Sequence, residues 1–327
     1  MSIPSGDGFW LLAGLLLVPL LLSLTGCSPA FHESLREQVG SGRVTIDSVP
    51  FYPQEEYQCG PAALAMLLAW SGPEVSPEEL VPQVYSPARQ GSLQPSIVAA
   101  ARRYGRVAYP VSGHDQLLTE VAAGNPVLVL KNLGLDWFPR WHYAVVIGYD
   151  REQEVVYLHS GSRPDKAVSA RVFANTWQRG GAWGLLVLPP DKLPVTAAEE
   201  PWLAAVLGLE RAEQWQAATE AYETALRRWP DSVVAWMGLG NSRYALADYP
   251  AAIPAFRQAV ALAPDFVPAR NNLALSLAAA GYFAEALALI GRAIHQGDGW
   301  LEQLSQTRRE ILTLQQRHIE GDTGIRE

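Results

Sequence analysis

The stretch EEYQCGPAALAML, residues 55–67, sets a cysteine directly before a run of apolar residues at helical spacing. Pro61 suits the first turn of a helix, where a missing N–H has no cost, and Gly72 ends the run. The sequence therefore predicts a helix that begins beside Cys59. The dipole and the free N–H groups at that end of a helix favour the thiolate form of the cysteine.

Cys59 is one of two cysteines, and the other, Cys27, follows an apolar segment. Residues 9–24 are uncharged and predict the hydrophobic region of a signal peptide that covers residues 1–26. The sequence LTGC, residues 24–27, resembles a bacterial lipobox. The resemblance implies that Cys27 is lipidated as the first residue of the mature chain, which faces the periplasm from the outer membrane. The alternative interpretation is a short membrane anchor with an incidental cysteine.

A lipidated Cys27 leaves Cys59 without a disulfide partner in an oxidising compartment. Because a lone exported thiol is open to oxidation and mispairing, its presence indicates a reactive cysteine. The alternative is a buried structural cysteine, which is common in protein cores.

The composition limits the domain count and the partners. The chain has 327 residues, of which 49% are hydrophobic and 18% charged, and this length is enough for two domains. Its formal net charge is −8, and it contains no run rich in lysine and arginine. Nucleic acid is therefore not an expected partner.

The order of predicted elements indicates an α+β domain. Residues 27–43 are predicted as a polar tether, residues 44–190 as this domain and the proline-punctuated residues 191–200 as a linker. Within the domain, helices come first and strands follow, which is typical of α+β folds. The predicted strands are PVLVLKN (126–132), HYAVVIGYD (142–150), EVVYLHS (154–160) and WGLLVLP (183–189).

Beyond the linker, residues 201–300 contain a repeat with a period of 34 residues. Pro230 and Pro264 have this spacing, and each is followed by an aspartate. Residues 233–266 match the tetratricopeptide pattern, with weaker copies before and after. The matching positions are Trp236, Leu239, Gly240, Ala252, Phe256, Ala259 and Pro264. The sequence thus predicts an all-α repeat solenoid, capped by a more polar helix within residues 301–327. The repeats are expected to bind a protein partner.

A nucleophilic cysteine needs a base that is distant in sequence and close in space. His142 opens an apolar strand, a position where catalytic side chains often face a cleft, and it is the candidate base. The chain has six histidines, and the other five are His32, His114, His159, His295 and His318. The alternative interpretation of His142 is a surface residue at the start of a strand.

The stretches VPFYPQEEYQCGPAALAMLL, GNPVLVL and HYAVVIGYD together resemble the papain-like bacteriocin-processing cysteine peptidases, also called double-glycine peptidases. The resemblance covers residues 44–190 and implies a papain-like cysteine peptidase domain. It implies that Cys59 is the nucleophile and His142 the general base. It also implies a glutamine that donates to the oxyanion, for which Gln54 is the first choice and Gln58 the second.

The third catalytic member departs from the family pattern. The family has an aspartate at the end of the strand after the histidine strand, and this chain has Ser160 there, preceded by His159. A serine can accept an imidazole N–H bond but cannot stabilise imidazolium as a carboxylate does. Asp165 from the following loop, His159 and, more weakly, Asp150 are alternatives.

Two functions follow from these expectations. The first is a thiol peptidase acting on a peptide or protein, with the repeats recruiting a protein partner. The second is a peptide-binding adaptor that has lost catalysis, a possibility that Ser160 favours and that the retained Cys59 and His142 disfavour. The chain has no Walker motif, and no cofactor or metal is expected, since Cys59, His142 and His159 lack metal-ligand spacing.

Overall fold

A computed structural model describes residues 29–37, 42–54, 57–295 and 299–323. The predicted signal peptide and the predicted lipidation site Cys27 lie outside these residues. Among the described residues, no helix combines the length and the apolar composition that crossing a bilayer requires.

The first part of the described chain is an α+β domain built on an antiparallel sheet of seven strands. These strands are β1 Arg43–Thr45, β4 Val107–Val111, β5 Val127–Asn132, β6 Trp141–Asp150, β7 Val155–Ser160, β8 Arg163–Ser169 and β9 Gly184–Leu188. Their order is β4-β9-β5-β6-β7-β8, and β1 also pairs with β6. Two short strands, β2 Tyr85–Ser86 and β3 Gly91–Ser92, pair separately.

Helices cover this sheet. They are α1 Pro29–Glu37, α2 Cys59–Ser71, α3 Pro77–Val84, α4 Gln94–Arg103, α5 His114–Ala122 and α6 Ala170–Gln178. The predicted helix beside Cys59 is α2, and it ends at Gly72, whose φ of 129° suits glycine. Almost every side chain of α2 is buried, because the helix packs between β6 and its helical neighbours. This packing fixes Cys59 at the edge of the core.

Part of the segment predicted as a polar tether, residues 27–43, is the packed helix α1. Phe31 and Leu35 are fully buried on one side of it, since residues four positions apart share a helix face. The ring of Phe31 lies 5.4 Å from that of Phe173 in α6 and 4.9 Å from that of His114 in α5. The apolar pair thus holds residues 29–37 against the domain.

Five strands were not predicted from the sequence, namely the short β1, β2 and β3 and the longer β4 and β8. β8 carries mostly exposed polar side chains, because it lies at the edge of the sheet and lacks the apolar alternation of a half-buried strand. β4 contains Pro110, which reads as a break in a strand. The consequence for the site is that Asp165 lies in a strand and not in a loop.

The second part of the chain is the predicted helical solenoid. Residues 199–295 form three antiparallel helix pairs, followed by a longer helix. These helices are α7 Glu199–Glu210, α8 Trp215–Arg228, α9 Val233–Ala245, α10 Tyr249–Leu262, α11 Val267–Ala279, α12 Phe283–His295 and α13 Leu301–Thr323. Gly240 lies so close to the Phe256 ring that a Cβ atom there would clash with it. The small and the aromatic repeat position therefore interlock, as the repeat pattern predicts.

The sheet domain and the repeats share one hydrophobic core. Helix α7 packs on β4, and the ring of Trp202 lies 6.4 Å from that of Tyr109. The buried carboxylate of Glu120 accepts hydrogen bonds of 2.7 Å from the Thr196 amide and 2.5 Å from the Thr196 hydroxyl. The shared core reaches Ala255 in α10, whereas α11 to α13 pack around a second apolar cluster. The junction is thus fixed by both apolar and polar contacts.

Candidate active site

A groove of about 1070 Å³ opens where the N-terminus of α2 meets the start of β6. Three of the residues predicted from the sequence line it together, namely Gln54, Cys59 and His142. They come from a loop, a helix start and a strand start, and the antiparallel sheet brings these segments together. The groove therefore joins residues that are up to 88 positions apart in the chain.

Cys59 is the first residue of α2 and is partly buried. Gly60 follows it because β3 crosses closely here: a Cβ atom at residue 60 would clash with the side chain of Ser92. Burial raises the pKa of the Cys59 thiol, and backbone hydrogen bonds from Tyr143, Gly60 and Cys59 itself lower it by less. The N-terminus of the helix thus contacts the sulfur as predicted, but desolvation outweighs it.

Gln54 lies beside this sulfur with its amide held on both sides. Its Oε1 accepts a 2.8 Å hydrogen bond from the Gly161 amide, and its Nε2 donates to the Tyr143 carbonyl at 3.4 Å. Because the Gly161 N–H can only face an acceptor, the amide orientation is fixed, and Nε2 is the atom that faces Tyr143. The second hydrogen of Nε2 is available for an oxyanion. Gln58, the second choice, is the N-cap residue of α2 and does not line the groove.

His142 is oriented by Ser160. Its Nε2 lies 2.8 Å from Ser160 Oγ. His142 and Val146 share one face of β6, Val146 pairs with Leu158, and Leu158 shares its face with Ser160. Both side chains therefore lie on the same side of the sheet, and Nδ1 of His142 remains for the thiol.

Comparison with known families agrees with this arrangement. Residues 46–183 match the Peptidase C39 like family, and residues 203–265 and 238–299 match the tetratricopeptide repeat. The chain carries a peptidase C39-like domain followed by tetratricopeptide repeats. This finding confirms the predicted resemblance and the predicted α+β plus repeat architecture.

The similar proteins share little sequence identity with the chain. A C39-like peptidase from Bacillus anthracis is 22% identical, with a TM-score of 0.39, and the alignment covers 45% of this chain and 97% of that one. The peptidase domain of Streptococcus ComA, a bi-functional ABC transporter, is 22% identical, with a TM-score of 0.36, covering 43% and 98%. Superkiller protein 3 of Saccharomyces cerevisiae is 25% identical over 122 residues, which span 37% of this chain but 8% of that protein.

The other candidates for the third member of the C39-like site are turned elsewhere. His159 faces the opposite side of β7, where its Nε2 lies 3.1 Å from the Val49 carbonyl. Asp165 is exposed and lies 3.8 Å from Nδ1 of His159. Asp150 accepts hydrogen bonds from the backbone of the turn after β6. The structure thus brings only Ser160, of these four residues, to His142.

The electrostatics of the C39-like site favour a neutral pair. Burial, together with the cationic groups of Lys131, Lys166 and Arg140, lowers the pKa of His142 to about 4. The pKa of Cys59 is raised. Both shifts oppose transfer of the thiol proton to the imidazole, so the resting site holds a thiol and a neutral histidine. The expected thiolate is absent from this resting form because burial dominates.

Sequence reasoning missed Lys131 and Gly161. Lys131 is the last but one residue of β5 and pairs with His142 across the strands. Its signal was available, since it is the one charged residue in the apolar run PVLVLKN. Gly161 carried no such signal, because its backbone amide acts on Gln54 only through the fold.

Trp141, the residue before His142, lines the groove. Its side chain is about half exposed, and Trp137, in the loop before it, is 81% exposed but lines no part of the groove. Among the described residues, no cluster of histidine, cysteine and acidic side chains has the arrangement of a metal site. The chemistry available here is that of a thiol, an imidazole and an amide.

Proposed function

We propose that the protein is a thiol peptidase that acts on a peptide or protein substrate. The observation that carries this proposal is the groove in which Cys59, His142 and Gln54 meet, with His142 oriented by Ser160. The match to the peptidase C39-like family supports it.

The residues have separate roles in the proposed reaction. His142 takes the thiol proton of Cys59 as the sulfur attacks the peptide carbonyl carbon. Gln54 Nε2 and the Cys59 N–H, which lies in the first turn of α2, donate to the oxyanion. His142 then protonates the leaving amine, the C–N bond breaks, and an acyl-enzyme remains. Water, deprotonated by His142, hydrolyses the thioester and releases the acid.

Cleavage of a peptide library tests the proposal directly. The full chain is incubated with peptides that carry free and blocked termini, and new termini are identified by mass spectrometry. Cleavage by the wild type that is lost in Cys59→Ala and in His142→Ala supports a peptidase. Cleavage that persists in Cys59→Ala, or none with any peptide class, refutes it.

One observation favours the second function, a peptide-binding adaptor without catalysis. The pKa shifts of Cys59 and His142 leave both groups neutral, and Ser160 offers the imidazole no charge. Under this alternative the groove grips a peptide and the thiol stays intact. Peptides captured by the wild type and recovered uncut distinguish it from the first function.

The proposal assigns recruitment of a protein partner to the repeats, which the match to the tetratricopeptide family supports. Tyr282 is well exposed between α11 and α12 and offers a place for a photo-crosslinking residue. A crosslinked protein that also contains the peptide cut by the groove supports recruitment. Crosslinks only to unrelated abundant proteins contradict it.

The proposal also places the protein in the bacterial envelope, anchored by lipid on Cys27, as the LTGC sequence suggests. Expression of the wild type and of Cys27→Ala in a Gram-negative host tests it. We expect the wild type in the outer-membrane fraction with acylated Cys27, and the variant outside that fraction. A wild-type chain with an unmodified Cys27 thiol refutes the anchor.

A further inference from the structure

A second pocket adjoins the groove, and both His142 and Ser160 line it. It has a volume of about 280 Å³ and shares Arg140, Trp141, His142 and Gly161 with the groove. Four of its lining residues are cationic, and within the described part of the chain no acidic residue lines it. The cationic residues are Lys131, Arg140, Arg163 and Lys166.

Lys131 is the buried member of this set. It is 4% exposed, and in the described residues no hydrogen bond or ion pair joins its ammonium to another group. Burial lowers its pKa to about 8, and the nearby Lys166 acts in the same direction. A lysine side chain is rarely buried to this extent, because removing an ammonium from water is costly. The Nζ atom of Lys131 is not among the fully buried polar atoms that lack a partner, so its ammonium opens into the pocket. Its presence in the pocket wall therefore points to a ligand of opposite charge.

Lys131 and His142 are directly opposite each other on β5 and β6, so their side chains leave the same face of the sheet. His142 consequently faces Lys131, Lys166 and Arg140, and no carboxylate among the described residues lines either pocket beside it. The Ser160 residue that contacts Nε2 of His142 also lines the pocket. If Nε2 donates to Ser160 Oγ, the Ser160 hydroxyl keeps its own hydrogen to donate onward.

We propose that this second pocket binds a carboxylate, which accepts from Ser160, pairs with Lys131 and serves as the acidic member that the C39-like site lacks. Bound there, the anion offsets the cations that face His142. The imidazolium is then stabilised through Ser160, and transfer of the Cys59 proton becomes easier. A carboxylate on a substrate peptide and a free carboxylate share this chemistry. The common wall of the two pockets lets a peptide in the groove reach the site.

Carboxylate binding itself does not depend on the proposed function, whereas its effect on cleavage rests on it. The first measurement therefore needs no substrate. Imidazole carbons of the full chain are labelled with ¹³C, the His142 signal is assigned with His142→Gln, and its pKa is followed in acetate and in chloride at equal ionic strength. We expect acetate to raise the pKa of His142 by at least about one unit, the size typical of one nearby opposite charge.

Alkylation of Cys59 by neutral iodoacetamide at pH 7 gives a second readout, expected to speed up about tenfold for each unit of pKa. Lys131→Met should lose the acetate response, and Lys166→Ala, at an exposed position that tolerates change, should weaken it. Lys192→Met is the matched control, since Lys192 stacks on Trp70 outside both pockets. In Ser160→Asp, Cys59 should be alkylated fast without acetate, and acetate should not increase the rate.

Peptide pairs that differ by Asp against Asn, or by Glu against Gln, separate the two sources of the carboxylate. If acidic peptides are cleaved without acetate, the substrate is the source of the carboxylate. If cleavage of both peptides of a pair depends equally on acetate, a free anion is the source. An unchanged pKa of His142 in acetate, or a response retained by Lys131→Met and Lys166→Ala, overturns the proposal. An acetate response without cleavage of any peptide leaves the carboxylate site standing and removes the peptidase. Cleavage whose rate depends on no carboxylate supports the peptidase and removes the carboxylate site.

Discussion

Ser160 and His142 are joined across 2.8 Å by two atoms, Oγ and Nε2, neither of which carries a fixed charge. The hydroxyl sets the direction of the imidazole ring but gives little support to its protonated form. Orientation and charge stabilisation, which one carboxylate supplies together in a catalytic triad, are therefore separated in this site.

The first prediction concerns this pair. Ser160→Asp places a carboxylate within reach of His142 and raises its pKa, so alkylation of Cys59 at pH 7 should become about ten- to a hundredfold faster. Ser160→Ala removes the orienting contact and should slow it. The rate of iodoacetamide labelling measures both. Equal rates in the two variants would mean that the residue at position 160 does not act through His142.

The second prediction concerns acid stability. Unfolded histidine titrates near pH 6.5, whereas burial lowers the pKa of folded His142 to about 4. Between these values the unfolded chain binds more protons, so the free energy of unfolding falls as the pH falls from about 6.5 to about 4. The largest loss from this residue is about 3 kcal/mol.

Chemical denaturation at pH 7 and pH 4.5 measures this loss. His142→Gln should show a smaller drop in the free energy of unfolding than the wild type, and His318→Gln, at an exposed position of α13, should match the wild type. The same drop in all three proteins would show that folding does not lower the pKa of His142.

The third prediction concerns the crossing of α2 and β3. Gly60→Ala introduces a methyl group where the side chain of Ser92 already lies, so it should destabilise the protein by about 1–3 kcal/mol and slow the alkylation of Cys59. Ser92→Gly opens the space and should restore both in the double variant. Melting temperature and labelling rate are the measurements. Additive losses in the double variant would indicate that the two residues do not meet.

The fourth prediction concerns Trp141. Replacement by alanine removes an aromatic wall of the groove and should raise KM about tenfold, with a smaller change in kcat, because the contact acts on bound substrate. Trp137→Ala is the matched control, because that side chain is more exposed and lines no part of the groove. Steady-state cleavage of the best library peptide measures both. A rise in KM with Trp137→Ala alone would indicate that the substrate binds at the loop that carries Trp137.

The fifth prediction concerns the junction. Glu120→Gln weakens charge-assisted hydrogen bonds to Thr196 in a buried place and should lower the free energy of unfolding by about 2 kcal/mol. Glu302→Gln, in exposed α13, is the control and should have little effect. Denaturation followed by fluorescence and by circular dichroism measures the loss. No destabilisation in Glu120→Gln would show that apolar contacts alone hold the junction.

Most of the residues that the structure brings together in the candidate site were named from the sequence, because each of them left a local signal. Cys59 precedes a helix, His142 opens an apolar strand, and Ser160 ends the next one. What it did not predict depends on pairing across the sheet. β8 has no apolar alternation, and the effect of Lys131 on His142 comes from strand register. Cys59 and His142 are both neutral because they are buried, and no short sequence motif predicts their burial.

The bonds from Thr196 to Glu120 have a consequence for geometry. Since they and the shared core fix the first repeats to the sheet, a protein held by those repeats is presented to Cys59 at a set distance and angle. The distance from the docked part of that bound protein to Cys59 is then constant. We expect the cut, or the gripped segment, to lie at a constant number of residues from the docked part, whatever the sequence between them.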